Sequence, residues 1–148
     1  MKNILQNKKQ ICFFDKKIVN KLKILATRSK NKRSRILLHT HKSSQVQEMI
    51  IVLFKGTDIP IHKHPRNKSE SYFIIEGSME LCMYNKNGKI KKTINLGDYN
   101  SGKPFYYRMS RGEFWHKPVS QSKYCVYHET FSGPFKKKTD VKLSRWKK

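Results

Sequence analysis

Two histidines and a glutamate are the first residues here whose types and spacing could do chemistry. His62 and His64 stand two positions apart, and Glu70 follows a polar turn and begins the next apolar run. Alternate residues of a strand face the same side, so both imidazoles can reach one point, and a carboxylate on the neighbouring strand can reach it too. Imidazole nitrogen and carboxylate oxygen bind divalent transition metals. The segment therefore predicts a metal site.

A fourth ligand must come from elsewhere, and His116 is the best candidate. Of the other histidines, His39 and His41 form a second pair but lack a carboxylate before Glu48, and His128 stands next to Glu129 near the end of an apolar run. We expect His39 to line the cavity or to contact one of the metal-binding residues. Three imidazoles and one carboxylate suit Fe, Mn, Co, Ni or Zn, whereas Mg and Ca prefer oxygen ligands. The cofactor prediction is one divalent transition metal ion, held by His62, His64, Glu70 and His116.

Other side chains could handle a substrate. Tyrosine can act as an acid or base, and arginine can hold a carboxylate or phosphate. The candidate catalytic residues are Tyr106, Tyr107 and His39. The candidate substrate-binding residues are Arg35 and Arg108. Barrel packing and surface charge remain the alternatives for the tyrosines and arginines. Glu129 is interpreted as an arginine partner, as support for the Gly133-Pro134 corner or as a plain surface residue.

The elements that must position these residues change character along the chain. Residues 15–30 predict a helix with Asp15 as its N-cap, because apolar residues recur there at three-and-four spacing. From residue 35 onward, short apolar runs alternate with turns such as Asn87-Gly88, which predicts a sandwich or barrel. The predicted strands are 35–38, 46–54, 71–76, 79–84, 89–95, 104–108 and 123–128. The tail after Phe135 is lysine-rich and is expected to pack loosely or hang free.

The first metal segment resembles a known motif. The pattern Gly56, five residues, His62-x-His64, five residues, Glu70, six residues, Gly77 resembles the first motif of the cupins, extended by one residue before the glutamate. Gly97, Pro104 and His116 resemble the second motif at a longer spacing. The segments from Arg35, Gln47, Phe105 and Trp115, together with His128-Glu129 and Gly133-Pro134-Phe135, are similar to the WbuC-type cupin-fold metalloproteins.

This resemblance implies a fold and a setting. It implies an all-β double-stranded β-helix, or jelly roll, preceded by a short helix, with a bound metal and a homodimer. The domain prediction is a helical segment at 1–34, a cupin barrel at 35–135 and a basic tail at 136–148. Proteins of the WbuC type are often encoded among bacterial surface-polysaccharide genes. The functional hypothesis is therefore an enzyme acting on a sugar or nucleotide-sugar, for example an isomerase or epimerase. An Fe(II)-dependent dioxygenase and a non-catalytic ligand-binding or regulatory protein are the alternatives, and the sequence leaves open whether catalysis occurs.

The composition bounds the partners. The 33 Lys and Arg residues against 10 Asp and Glu give a net charge of +23. Compositional drift, an anionic small ligand and nucleic acid are three interpretations, and the lack of a basic motif interleaved with stacking aromatics argues against nucleic acid. The expected partner is an anionic sugar derivative. Three cysteines, no signal-peptide pattern and no apolar run of roughly 20 residues predict a cytoplasmic protein without a membrane segment.

Overall fold

The computed structural model describes residues 3–146 and divides them into strands with two short α-helices. The elements are β1 (Ile4–Gln6), α1 (Lys16–Arg28), β2 (Arg33–Leu37), β3 (Val46–Phe54), β4 (His62–Lys63), β5 (Glu70–Glu76), β6 (Ser78–Tyr84), β7 (Ile90–Gly97), a 3-10 turn (Tyr99–Ser101), β8 (Tyr106–Met109), β9 (Trp115–Ser120), β10 (Tyr124–Ser132), α2 (Lys137–Asp140) and β11 (Lys142–Leu143). No helix in this described part is long and apolar enough to cross a membrane.

The strands form two sheets. One has the order β1-β2-β3-β10-β5-β8 and the other β11-β4-β9-β6-β7. Neighbouring strands are antiparallel, except that β1 runs parallel to β2. Gly77 makes the tight turn between β5 and β6 at φ +80°, where any Cβ would collide with the Tyr124 carbonyl oxygen. The all-β jelly-roll prediction is confirmed.

Helix α1 lies on the outside of the larger sheet. The Asp15 carboxylate accepts a hydrogen bond from the Ile18 amide and caps the helix, as predicted. Leu22 and Ala26 are fully buried in an apolar cluster whose other buried members are Ile36, Ile50, Val52 and Val126. The opposite faces of these strands are therefore free to form the interior of the barrel.

The barrel interior holds both a packed core and a cavity. The buried core contains Leu53, Ile74, Met79, Leu81, Leu96 and Cys125, together with Ile51, Ile59, Tyr72 and Tyr127. The last four also line the cavity described below. The cavity wall is consequently continuous with the rigid core.

Both ends of the chain differ from the sequence-based expectation. Residues 4–6, assigned to a helical segment, instead add a strand beside β2. The tail does not hang free: β11 pairs with β4, and Trp146 packs against Trp115 with ring centroids 5.1 Å apart. Strand β9 was not assigned from the sequence either, because its apolar residues alternate with Lys117 and are interrupted by Pro118.

Candidate metal centre

Three strands bring the four predicted ligands together. His62 on β4 lies directly opposite His116 on β9 in the sheet register, His64 follows β4, and Glu70 begins β5. One ligand atom from each of the four residues lies within 4.8 Å of all the others. His64, Glu70 and His116 are buried, whereas His62 is half-buried. The four side chains therefore form one cluster that could hold a metal ion.

Hydrogen bonds from the three imidazoles fix their tautomers. Each Nδ1 contacts a backbone carbonyl oxygen: His62 that of Pro60 at 2.9 Å, His64 that of Asp140 at 2.7 Å, and His116 that of Phe114 at 2.9 Å. A carbonyl only accepts, so each Nδ1 carries the proton and donates it. The lone pair of each Nε2 is therefore available to a metal.

The atoms that face the centre fit a cation. His64 Nε2 lies 3.3 Å from Glu70 Oε1, and His116 Nε2 lies 3.2 Å from Glu70 Oε2. Nε2 of His64, Nε2 of His116 and Oε2 of Glu70 are all buried and have no hydrogen-bond partner. Converging acceptors without a donor repel one another, and a buried polar atom without a partner is destabilising. A divalent transition metal would satisfy all of them.

The electrostatics of the centre favour the metal-binding forms of Glu70 and His62 but the protonated form of His64. Burial alone would raise the pKa of Glu70, but the neighbouring His116 and His64 outweigh it and hold that pKa well below its usual range. Burial and the neighbouring His116 lower the pKa of His62 to about 4. Burial opposes protonation of His64 as well, but the neighbouring carboxylate of Glu70 prevails and raises its pKa. At neutral pH, Glu70 is therefore an anion and His62 is neutral.

A cavity of about 500 Å³ lies beside the ligands and includes His62, His64 and Glu70 in its wall. Four basic side chains line it: Arg33, Arg35, Lys42 and Lys137. Apart from Glu70, Glu129 is the only acid among the described lining residues. The cavity is therefore a basic chamber with one metal-facing side.

Arg35 lies in this wall, where the sequence analysis expected a substrate-binding residue. Its Nε is buried without a hydrogen-bond partner, and its Nη1 makes only a 3.9 Å contact with the sulfur of Met49. Burial, and then the neighbouring Arg33, lower the pKa of Arg35, while Glu129 acts in the opposite direction. The guanidinium therefore has donors to offer to an anion in the cavity.

Glu129 faces the cavity from β10, between Met49 of β3 and Tyr72 of β5 in the sheet register. Burial, and then the charge of Glu70, raise its pKa to about 8, against the opposing effect of Arg35. From the sequence, this residue was expected to partner an arginine, to support the Gly133-Pro134 corner or to lie on the surface, and its place in the cavity wall was missed. The signal was present in the alternation of β10, because the neighbouring inward residues are Tyr127 and Phe131.

Tyr72 is the second residue that the sequence analysis missed. It is 1% exposed, lines the cavity and lies on β5 two positions after Glu70. Burial, followed by the charges of Glu70 and Glu129, raises the pKa of Tyr72 well above its usual value. A protonated phenol therefore lies beside the metal-facing carboxylate. No local pattern distinguishes this tyrosine from a core residue.

The other predicted site residues divide between the cavity and the surface. His39 lines the cavity, and its Nδ1 lies 3.0 Å from the Glu48 carbonyl oxygen. Tyr106 and Arg108 are exposed and absent from the cavity wall, because alternate residues of edge strand β8 face outward. The expectation that they border the cavity is corrected. Tyr107 faces inward and packs on Tyr72, with ring centroids 5.6 Å apart, but does not line the cavity.

Solved structures with the same fold define the class. A Klebsiella pneumoniae protein with a double-stranded β-helix domain matches with a TM-score of 0.58 at 12% identity, over 80% of this chain and 84% of that one. Oxalate oxidase in complex with glycolate gives 0.56 at 15% identity, over 79% and 57%. A sugar phosphate isomerase of the cupin superfamily from Silicibacter pomeroyi gives 0.51 at 16% identity, over 68% and 59%. The fold is therefore the double-stranded β-helix of the cupins, and this chain spans less than two thirds of the last two proteins.

The family can be stated more narrowly. The chain belongs to the family described as Domain of unknown function (DUF6016), which matches residues 14–96. That match includes His62, His64 and Glu70 and ends before His116. A search of proteins with curated descriptions found no match.

Proposed function

We propose that this protein is a metal-dependent enzyme that isomerises or epimerises a small anionic sugar derivative. One observation carries the proposal: three of the four candidate metal ligands line a cavity of about 500 Å³ whose wall also has four basic side chains and one further acid, Glu129. That volume is within the range of pockets for small molecules, roughly 300–1,000 Å³. The basic side chains favour a phosphate or carboxylate group on the ligand.

Arg35 is the residue best placed to hold the anionic group. Its Nε is buried without a hydrogen-bond partner, and its Nη1 makes a 3.9 Å contact with the sulfur of Met49, a weak acceptor. A planar guanidinium binds a phosphate or carboxylate through two parallel hydrogen bonds, which fixes orientation as well as position. Arg33, two positions earlier on the same inward face of β2, adds a second positive charge.

Glu129 is the proposed acid-base group. Its pKa of about 8 leaves both protonation states populated near neutral pH, which suits proton transfer. A bound divalent ion would supply Lewis-acid polarisation of a carbonyl or hydroxyl oxygen. For a carbonyl substrate, Glu129 would remove the proton from the carbon α to the carbonyl group. In an isomerisation this proton would be returned to the former carbonyl carbon while the α-hydroxyl proton passes to the carbonyl oxygen; in an epimerisation the α carbon would take a proton from solvent on its opposite face. No oxidant or reductant is consumed.

Two further observations support the sugar assignment. One of the similar structures is a sugar phosphate isomerase. The segments around Arg35, the metal ligands and Gly133 resemble the WbuC-type cupins, and this resemblance supports a proposed role in bacterial surface-polysaccharide synthesis. The proposal includes a cytoplasmic location, in keeping with three free cysteines.

The proposal includes a homodimer formed through the outer face of β5 and β8. Phe73, Tyr99, Phe105 and Tyr106 are exposed there, and Phe105 has ring contacts with Phe73 at 5.7 Å and Tyr99 at 5.5 Å. Strand β8 is also an edge of its sheet. A contiguous apolar patch beside an unpaired strand edge is typical of an interaction surface.

The direct test is proton exchange with solvent. Metal-loaded protein is incubated in D₂O with a panel of aldose phosphates, ketose phosphates and nucleotide-sugars, and deuterium incorporation at carbon is followed by NMR. The proposal expects exchange with at least one compound, abolished in Glu129→Gln while the metal remains bound. Substrate-dependent oxygen consumption by the Fe(II) form would favour the dioxygenase alternative instead. Ligand binding without exchange or oxygen uptake would favour a non-catalytic protein.

A further inference from the structure

We propose that the C-terminal strap, residues 136–146, is an integral part of the metal centre, with Asp140 as the positioning residue for His64. The inference rests on the metal site of the proposed function but not on its substrate. His62 and His116 each donate Nδ1–H to the carbonyl of the residue two positions before them. His64 instead donates to the Asp140 carbonyl, 76 residues later. Only this one of the three histidine ligands depends on a distant segment for its orientation.

The Asp140 side chain holds its own carbonyl in place. The residue is 3% exposed, and its Oδ2 accepts a hydrogen bond from the Lys136 amide at 2.7 Å. The same oxygen lies 3.6 Å from Nζ of Lys68, a buried lysine that also donates to the carbonyls of Ser132 and Pro134. A buried carboxylate needs such partners, so the position of Asp140 is closely determined.

A second anchor joins the strap to the strand that carries His62. Strand β11 pairs with β4, with Leu143 opposite His62 and Lys142 opposite Lys63. The Ser144 amide donates to the Ile61 carbonyl at 2.9 Å. Strand β4 has only two residues and contacts just β9 on its other side. The strap therefore limits the motion of both His62 and His64.

The strap also forms part of the cavity wall. Lys137, Val141 and Leu143 line the cavity beside the metal ligands. Detachment of the strap would both remove the hydrogen-bond partner of His64 and admit water to the metal centre. Both effects weaken metal binding, because outer contacts that orient a ligand are worth roughly 10–100-fold in metal affinity.

The test compares Co²⁺ affinity, measured by chelator competition, in the wild type and three variants. Asp140→Ala should weaken binding about 10–100-fold and alter the ligand-field spectrum of bound Co²⁺. Asp140→Asn keeps an acceptor for the Lys136 amide, so it should restore part of the affinity. Lys138→Ala, an exposed change in the same helix, is the matched control and should bind as the wild type does.

Ser144→Pro tests the role of the strap independently, in case Asp140→Ala does not fold. Ser144→Pro removes the amide that donates to Ile61 without entering the interior, and it should speed the dissociation of Co²⁺ several-fold. The role of the strap would be overturned if folded Asp140→Ala bound Co²⁺ with the affinity and spectrum of the wild type. It would also be overturned if Ser144→Pro released Co²⁺ at the wild-type rate. A wild type that binds no Co²⁺ would overturn the metal centre itself and this inference with it.

Discussion

Nε2 of His64 lies 3.3 Å from Oε1 of Glu70, and in the neutral imidazole both atoms are acceptors, because the ring proton is on Nδ1 and is donated to Asp140. Two acceptors at this separation repel each other unless a proton or a metal ion lies between them. The same holds for His116 and the second oxygen of Glu70. A proton and a metal therefore compete for one place.

This competition predicts that metal affinity falls as the pH is lowered. Burial acts against protonation of His64, but Glu70 prevails and raises its pKa above the ordinary 6.5. Metal binding must displace that proton wherever the pH is below the raised pKa. We expect Zn²⁺ affinity, measured by chelator competition between pH 5.5 and 8, to increase with pH. An affinity independent of pH over this range would contradict the arrangement of Glu70 and His64.

The stability of the metal-free protein should depend on pH in the opposite direction to metal affinity. The free energy of unfolding should fall as the pH rises, because of Glu129. Its pKa is about 8 in the folded protein, raised chiefly by burial, against an ordinary value of 4.5. The folded state therefore binds more protons between these values, and this contribution to stability is lost as the pH rises from about 4.5 to 8.

Glu129→Gln tests this directly. Urea unfolding of wild type and variant should show the variant gaining stability relative to the wild type as the pH rises. Glu113→Gln, an exposed carboxyl outside the cavity, is the matched control. A constant difference between wild type and Glu129→Gln across that window would show that the carboxyl does not titrate as inferred.

Substitution of Arg35 should lower the affinity for an anion without lowering the stability of the ligand-free protein. Arg35→Met removes the group proposed to hold the anion, and hydrogen bonds to charged groups contribute about 1.5–3 kcal/mol, so pyrophosphate affinity by calorimetry should fall roughly 10–100-fold. The thermal midpoint of the ligand-free protein should stay level or rise, because a buried Nε without a partner is lost.

Arg108→Met is the matched control for Arg35, since Arg108 is exposed and outside the cavity wall. It should bind pyrophosphate as the wild type does. Equal losses in the two variants would mean that the anion is attracted by net charge alone, and equal retention would remove Arg35 from the proposed binding role.

The apolar patch predicts a concentration-dependent dimer. Phe73→Glu places a charge at the centre of the patch, and it should shift the sedimentation coefficient of a dimeric wild type to that of a monomer. Ile90→Glu replaces another exposed apolar residue, on the opposite sheet, and should leave the dimer intact. A wild type that sediments as a monomer at all concentrations would contradict the dimer.

The sequence predicts those parts of the site that depend on local spacing. The sequence spacing of His62, His64 and Glu70 fits a strand followed by a turn. This arrangement directs all three side chains to the same point. The N-cap at Asp15 is equally local. His116 was also predicted, although its spacing alone did not fix its sheet register opposite His62.

The parts that could not be predicted depend on strand phase and on distant contacts. Tyr106 and Arg108 were chosen wrongly in place of Tyr72 and Glu129. The correct choice requires knowing which alternate residues face inward on β5, β8 and β10. The contact between Asp140 and His64 joins positions 76 residues apart, and nothing in the lysine-rich tail marks a single buried aspartate.

Elemental analysis of tag-free protein, alongside the His62→Ala/His64→Ala double variant, tests the central claim most directly. We predict about one equivalent of a divalent transition metal in the wild type and its loss in a double variant that retains the far-ultraviolet circular dichroism of the wild type. The identity of the metal would then separate oxygen chemistry, for iron, from Lewis-acid chemistry. A wild type without metal, even after reconstitution with Fe²⁺, Mn²⁺, Co²⁺, Ni²⁺ and Zn²⁺, would contradict the account.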